Sequence, residues 1–148
     1  MAESKPHSHR LRAGRFSQAG LAYMVTVVTL ERQKFFQNWV AARTLIQALK
    51  AESDRQQATT LAFVVMPDHL HWLMQLGEGA ELAQCVRRVK ALTTYRMGHP
   101  VWQRGYHDHA VRQDEDLKAL ARYVIANPLR AGLSPSVADY PHWDAIWL

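Results

Sequence analysis

The hydrophobic and polar positions of this chain change period several times, and each change predicts a new element. Residues 23–30 are rich in β-branched side chains, which predicts a first strand. Residues 40–51 repeat apolar side chains at helical spacing, and residues 60–66 form the short apolar run of a buried strand. Pro67 and Asp68 then predict a turn that folds the next strand back antiparallel.

The second half of the chain continues the pattern. Residues 80–97 predict a helix with apolar residues on one side and basic residues displaced from it. A short strand follows over residues 107–112, and Asp114 is a suitable N-cap for a third helix that runs to Asn127 and is stopped by Pro128. The order predicts a ferredoxin-like α+β sandwich, with one antiparallel sheet, helices on one face and an appended helix.

The chain has 148 residues and no internal repeat or long linker, so we interpret residues 1–148 as a single domain with an irregular basic arm over 1–20 and a tail over 134–148. Its apolar fraction of 48% is sufficient for a core without disulfides. The one cysteine, Cys85, lies on the apolar side of the second predicted helix and is expected to be a small buried hydrophobe.

No apolar stretch approaches the ~20 residues that cross a bilayer, and the first 15 residues are polar and basic. The expected location is therefore the cytoplasm, with no membrane partner.

The first candidate chemistry lies on the strand that follows the predicted turn. His69 and His71 are two residues apart and project from the same face of a strand, while Leu70 and Trp72 project from the other. Two imidazoles supply half of a metal site, which needs a third protein ligand as well as water or a phosphate oxygen. The alternative is a chance pair of partly buried, hydrogen-bonded histidines.

A second constellation lies on the third predicted helix. Tyr123 and Asn127 are one turn apart on the flank of its apolar stripe, which presents a phenol and an amide oxygen side by side. If this helix packs near the histidine strand, Asn127 could be the third ligand and Tyr123 a nucleophile. Taken singly, Tyr123 is typical of an amphipathic boundary and Asn127 of a helix end.

The charge of the chain favours a polyanionic partner. Lys and Arg number 18 against 13 Asp and Glu, the formal charge is +5, and the sequence pI is near 9.7. The alternative is a basic surface that serves only solubility. The candidate phosphate contacts are Arg12, Arg15, Arg87, Arg88, Lys90 and Arg104.

Four spaced motifs fall in order along the chain and together resemble the REP-associated tyrosine transposases, a branch of the one-tyrosine, His-hydrophobic-His (HUH) transposase family. The resemblance covers nearly the whole chain, from Arg12 to Trp143. The motifs are Met66-Pro67-Asp68-His69-Leu70-His71-Trp72-Leu73, Val86-Arg87-Arg88-Val89-Lys90, Trp102-Gln103-Arg104-Gly105-Tyr106-His107-Asp108-His109 and Arg122-Tyr123-Val124-Ile125-Ala126-Asn127-Pro128-Leu129-Arg130-Ala131-Gly132-Leu133.

The resemblance implies an endonuclease and strand transferase that depends on Mg²⁺ or Mn²⁺ and acts on single-stranded hairpin DNA, the repetitive extragenic palindromes. It implies that His69 and His71 are metal ligands, that Tyr123 forms a covalent 5′-phosphotyrosine, and that Asn127 is the third ligand. Such a protein would be associated with the nucleoid. The resemblance leaves both a monomer and a dimer open.

A second His-x-His motif, His107 and His109 around Asp108, could compete for metal. We expect it to have a structural or supporting function, in which Asp108 or His109 orients neighbouring polar groups.

Two further functions fit parts of the pattern. A non-catalytic module of the same fold could bind single-stranded nucleic acid by stacking bases on Trp72, Trp102 and Tyr106, but it would need neither ligands nor a matched phenol. A metal-dependent hydrolase would activate water, but the His-x-His-x-Asp-His pattern of zinc hydrolases is absent here because Trp72 and Leu73 follow His71.

Overall fold

The structure is a computed structural model that describes residues 21–112 and 116–145. Short 3₁₀ turns at Leu30–Arg32 and Phe35–Gln37 link the first strand to the first helix. The strands and helices of the described chain are β1 (Ala22–Val28), α1 (Trp39–Asp54), β2 (Ala58–Met66), β3 (His69–Leu76), α2 (Leu82–Met97), β4 (His107–Ala110), α3 (Leu117–Ile125), α4 (Asn127–Arg130) and β5 (Trp143–Ala145).

The strands form one sheet in the order β4-β1-β3-β2-β5, and every neighbouring pair is antiparallel. The first four strands with α1 and α2 have the ferredoxin-like arrangement, so the predicted fold class is confirmed. The turn at Pro67 and Asp68 places β3 in the centre of the sheet, as predicted.

One face of the sheet packs against α1 and α2. The strand period of two sends Leu70, Trp72 and Met74 of β3 to this side, where they are buried with Val25 of β1. Trp72 is fully buried and donates its indole N–H to the Thr60 hydroxyl at 2.9 Å. Its burial excludes Trp72 as a platform for stacked bases, the role that the alternative of a non-catalytic module gave it.

The appended helix α3 covers the opposite face. Its buried residues Ala121, Val124 and Ile125 share an apolar cluster with Ala62 and Val64 of β2. The odd-numbered residues of β3 project toward this face, so the two histidines and α3 lie on the same side of the sheet.

Two details of the third helix differ from the prediction. Its N-cap is Asp116, whose carboxylate accepts from the amides of Lys118 and Ala119 at 2.9 and 3.3 Å, while Asp114 lies outside the described residues. The helix also ends at Ile125 rather than at Asn127, and Pro128 is not a helix stop. It lies in the first turn of α4, where proline is tolerated because an amide proton there has no helical partner.

The predicted tail contains more structure than expected. Residues 143–145 form β5, which extends the sheet beyond β2, and the Tyr140 hydroxyl donates to the Val65 carbonyl at 2.7 Å. A strand of three residues is too short to show a period in the sequence. The arm over 1–20, with Arg12 and Arg15, lies outside the described residues.

Cys85 is completely buried, as predicted. Burial, assisted by the negative charge of Glu52, raises the pKa of its thiol to about 12 and keeps it protonated at neutral pH. None of the helices that the structure describes is long and apolar enough to cross a membrane.

Candidate functional site

The two histidines of β3 converge at their Nε2 atoms. His69 and His71 project from the same face, their rings meet edge to face with centroids 4.7 Å apart, and the Nε2 atoms are 3.2 Å apart. Both side chains are partly buried, on the face of the sheet against which α3 packs. The spacing of two residues thus produces a pair of nitrogens aimed at one point.

Each histidine is held through its other ring nitrogen. His69 Nδ1 lies 2.7 Å from Asp68 Oδ1, and His71 Nδ1 lies 3.0 Å from the Thr26 hydroxyl on the neighbouring strand. Arg32 bonds the second oxygen of Asp68 at 3.1 Å. Burial acts to raise the pKa of Asp68, but the bond to His69 and the charges of His69 and Arg32 outweigh it, so its pKa is lowered. Such contacts fix ring orientation and leave Nε2 for a ligand.

The environment of His71 keeps its ring neutral. Burial lowers its pKa to about 4, and the charges of His69 and Arg130 act in the same direction. A neutral imidazole has the lone pair that a metal ion needs. At neutral pH His71 therefore has one ring nitrogen that can accept a bond.

The geometry of the pair fits a metal ion. Two nitrogens 3.2 Å apart can both lie about 2.1 Å from one ion, at an angle near 100°. Among the residues that the structure describes, no group of three or more His, Cys, Asp or Glu side chains forms a metal site. A third protein ligand would therefore have to be another oxygen donor, and an amide is the type that Mg²⁺ and Mn²⁺ accept.

Tyr123 is linked to the histidines by a residue that the sequence analysis missed. Its side chain is 59% exposed, and the Arg130 guanidinium lies over its ring at 3.9 Å from the centroid. Arg130 also donates to the Tyr123 carbonyl at 2.7 Å, and its charge acts on His71. The seven-residue separation of Tyr123 and Arg130, two helical turns, was the sign of this contact in the sequence.

Asn127 lies beside Tyr123, as predicted from the helical period. Its amide nitrogen donates to the carbonyls of Val124 at 3.0 Å and Tyr123 at 3.3 Å, and thereby caps the end of α3. These bonds explain why a polar residue ends this helix. Its role as a metal ligand stays a prediction.

The family model for IS200-like transposases matches residues 17–127, which include the histidine pair, Tyr123 and Asn127. The chain belongs to this transposase family. Its members process DNA, and the site just described contains the residue types that the sequence motifs indicated.

Two related proteins and a solved structure illustrate the similarity of this chain to known transposases. A Haemophilus influenzae protein described as a REP-associated tyrosine transposase is 28% identical over 145 residues, covering 86% of this chain and 80% of that protein. The REP-associated tyrosine transposase of Escherichia coli is 32% identical over 82 residues, 54% of this chain and 50% of that protein. The structure of a REP-associated tyrosine transposase bound to a REP hairpin superposes with a TM-score of 0.76 at 24% identity, covering 97% of this chain and 82% of the other.

The basic residues predicted to bind DNA divide into two groups in this transposase. Arg87 and Arg104 are exposed. Arg88 instead forms a bidentate ion pair with Glu52 of α1, with N···O distances of 2.9 to 3.2 Å, and Glu52 is only 2% exposed. Lys90 donates to the carbonyls of two loop residues, 103 and 105, at 3.0 and 2.9 Å. Arg88 and Lys90 therefore have structural partners that spacing alone did not reveal.

The second His-x-His motif lies on β4, at the edge of the sheet. His107 pairs with Thr26 and therefore projects from the same face as His71, with one strand between them. Asp108 pairs with Val25 and is buried on the opposite face, under α1 and α2. The strand period thus places Asp108 on the other side of the sheet from His69 and His71, so of the structural or supporting function expected for it only the structural one fits its position.

Proposed function

We propose that this transposase cleaves and rejoins single-stranded DNA through a covalent bond to Tyr123, at a divalent metal site formed by His69 and His71. The observation that supports it most is the convergence of two Nε2 atoms at 3.2 Å, beside a helix that carries an exposed tyrosine. The family and its hairpin-bound structural relative support DNA as the substrate, and a palindromic hairpin as its form.

His69 and His71 would hold the metal, and Asn127 would contribute its amide oxygen. A bound Mg²⁺ or Mn²⁺ neutralises a phosphate oxygen and orients the phosphate for in-line attack. The chain itself fixes the rings through Asp68 and Thr26, so that little rearrangement is needed when the site fills.

Tyr123 supplies the attacking oxygen. Its Oη loses its proton and forms a bond to phosphorus, while the bond from phosphorus to the 3′ oxygen of the preceding nucleotide breaks. That oxygen takes up a proton and leaves as a hydroxyl, so one proton is released and one is consumed. The DNA stays joined to Tyr123 through its 5′ phosphate. A DNA hydroxyl can reverse the step, so bond energy is kept and no water is consumed.

Arg130 is a positioning residue in this scheme. Its guanidinium holds the Tyr123 ring by a cation–π contact, and the same cation favours negative charge as it develops on the phenol oxygen and the phosphate. The charge of Arg130 also contributes to the lowered pKa of His71, one of the two proposed metal ligands. Arg130 thus connects the nucleophile with the metal pair.

The test is incubation with a synthetic DNA hairpin carrying an unpaired extension, in Mn²⁺, followed by denaturing electrophoresis. Wild-type protein gives a covalent protein–DNA band, and Tyr123→Phe gives none while its DNA affinity changes by a few tenths of a kcal/mol, because one partly exposed oxygen is removed and no charge. Tyr95→Phe is the matched control, since Tyr95 is also an exposed helical phenol.

The other functions give different results in the same assay. Free DNA fragments without a protein adduct would indicate a hydrolase that activates water. Intact DNA with full binding would indicate a non-catalytic module. A wild-type amount of adduct in Tyr123→Phe would refute the assignment of the nucleophile.

A further inference from the structure

A cleft of about 690 Å³ lies between α2 and the loop that precedes β4, away from the histidine pair. This volume is within the range of ligand sites in proteins. Tyr95, which is 83% exposed, stands at its rim, and Trp102 and Tyr106 contribute to its wall. Bases stack on such aromatic side chains regardless of their sequence.

The outward stripe of α2 shapes the cleft. Arg87, Ala91 and Tyr95 follow one another at four-residue spacing, and all three are exposed. Arg87 and Tyr95 are thus about 12 Å apart, with a small residue between them. Ala91 leaves open the space in which a flat ring could lie, and a larger side chain there would close it.

The charged residues of α2 and of the loop beside the cleft are all basic. The charge of Arg88 is paired with Glu52 of α1, which leaves Arg87, Lys90 and Arg96 on α2 and Arg104 in residues 98–106, and neither segment contains an acidic residue. Arg87 and Lys90 are among the lining residues. An aromatic wall with cations at its rim complements a stacked base joined to a phosphate.

The cleft and the histidine pair share one end of the sheet. Trp102 is bridged to Thr29, which follows β1. Thr29 donates its amide to the carbonyl of Asp68 at 3.0 Å, and the carboxylate of Asp68 holds His69. The cleft on the α2 side of the sheet and the histidine pair on the α3 side are therefore connected through Thr29 and Asp68 at this end of the sheet.

We infer that the cleft binds unpaired nucleotides of the DNA strand, a few positions from the phosphate that Tyr123 attacks. The inference rests on the proposed function for the identity of the substrate. Arg87 contacts a phosphate, and Tyr95 with the other aromatic residues of the cleft stacks on bases. Hairpin recognition and recognition of the unpaired flank are then separate parts of the surface.

The first test compares two synthetic hairpins, one blunt and one with a short unpaired extension, by fluorescence anisotropy without metal. Ala91→Leu fills the cleft, removes no charge and retains a good helix former. It should weaken binding of the extended hairpin at least about fivefold, the lower limit for one stacked base, and leave the blunt hairpin unchanged. Tyr95→Ala should have the same selective effect.

Two variants serve as controls. Trp39→Ala removes an exposed aromatic side chain that lies outside the cleft, and Ala138→Leu adds the same apolar group to an exposed alanine elsewhere. Neither should distinguish the two hairpins. Photocrosslinking of an extension that contains 5-iododeoxyuridine should label peptides containing Tyr95, Trp102 or Tyr106.

Unchanged binding of the extended hairpin by Ala91→Leu, or an equal loss for both hairpins, would overturn the inference, as would crosslinks confined to other peptides. An equal loss would indicate that the cleft serves the fold or a protein contact. Because these readouts need no cleavage, they are independent of adduct formation. If no covalent adduct forms but the cleft variants lose affinity for the extended hairpin alone, the proposed chemistry is refuted and the cleft inference stands. If the adduct forms normally but the variants show no selective loss of affinity, the chemistry stands and the cleft inference is refuted.

Discussion

The two His-x-His motifs lie on one face of one sheet, yet the structure treats them differently. His69 and His71 are on the central strand, partly buried, and each is fixed through Nδ1. His107 and His109 are on the edge strand and exposed. The spacing is the same in both, so spacing only sets which face a pair shares. Depth in the sheet and neighbouring partners decide whether the nitrogens converge in a neutral, oriented state.

The neighbouring arginines of α2 repeat this lesson. Arg87 faces solvent, whereas Arg88 turns inward to a carboxylate on α1. A rotation of about 100° along the helix separates a candidate phosphate contact from part of the scaffold. Residue type alone does not distinguish the two roles.

The largest difference is expected between two alanine variants, one in each histidine motif. His71→Ala should slow adduct formation at millimolar Mg²⁺ at least about a hundredfold, because a metal ligand is lost, and raised Mn²⁺ should restore part of the rate since imidazole sites favour the softer ion. His107→Ala should stay within about threefold. Quantification of the covalent band over time measures both, and equal rates in the two variants would remove the distinction between the motifs.

Acid should destabilise the folded protein because the buried ring of His71 resists protonation. His71 has a pKa of about 4 in the folded chain and an ordinary value near 6.5 when unfolded. As the pH falls, the unfolded chain therefore takes up a proton at this ring before the folded chain does. The contribution of His71 to the free energy of unfolding is fully present above about pH 6.5 and is lost progressively down to about pH 4, a loss of roughly 3 kcal/mol.

Urea unfolding in EDTA, followed by tryptophan fluorescence at neutral pH and near pH 4.5, measures this loss. His71→Asn should lack the His71 part of the pH dependence, and His107→Asn should retain it. A dependence that survives unchanged in His71→Asn would contradict the burial of that ring.

The arginine comparison should appear as a difference in stability. Arg88→Ala leaves the carboxylate of buried Glu52 without its partner and should cost about 2 to 3 kcal/mol, somewhat less than a fully buried pair because the Arg88 side chain is 31% exposed. Arg87→Ala should change unfolding by less than about 0.5 kcal/mol. It should instead lower the slope of log affinity against log salt by about 0.7, the loss of one single-strand phosphate contact.

Denaturant unfolding and salt titration of hairpin binding separate these two effects. If Arg88→Ala is as stable as the wild type, Arg88 is not a structural residue. If Arg87→Ala leaves the salt slope unchanged, Arg87 does not contact a phosphate.

The smallest effect should come from the group that holds His69. Asp68→Asn keeps the size of the side chain but removes its charge, and it should weaken metal affinity about ten- to a hundredfold. Asp139→Asn, an exposed carboxylate in the tail, is the control. Calorimetric titration with Mn²⁺ compares them, and equal affinities would mean that His69 needs no anchor.

Much of this protein was determined by local pattern. The β-branched and helical periods of residues 23–97 specified the strands, the helices and the central position of β3, because period and turn chemistry are properties of neighbouring residues. The same rules placed His69 with His71 and Tyr123 with Asn127. The buried state of Cys85 also followed from its position on an apolar stripe.

Contacts between distant residues were decided only by the tertiary structure. The side of the sheet on which α3 packs, the pairing of Arg88 with Glu52 across two helices and the short strand β5 depend on surfaces that meet after folding. The neutral state of His71 has the same origin, since its pKa depends on burial and on the charges brought near it. Sequence supplied the candidate groups, and packing selected which of them share a site.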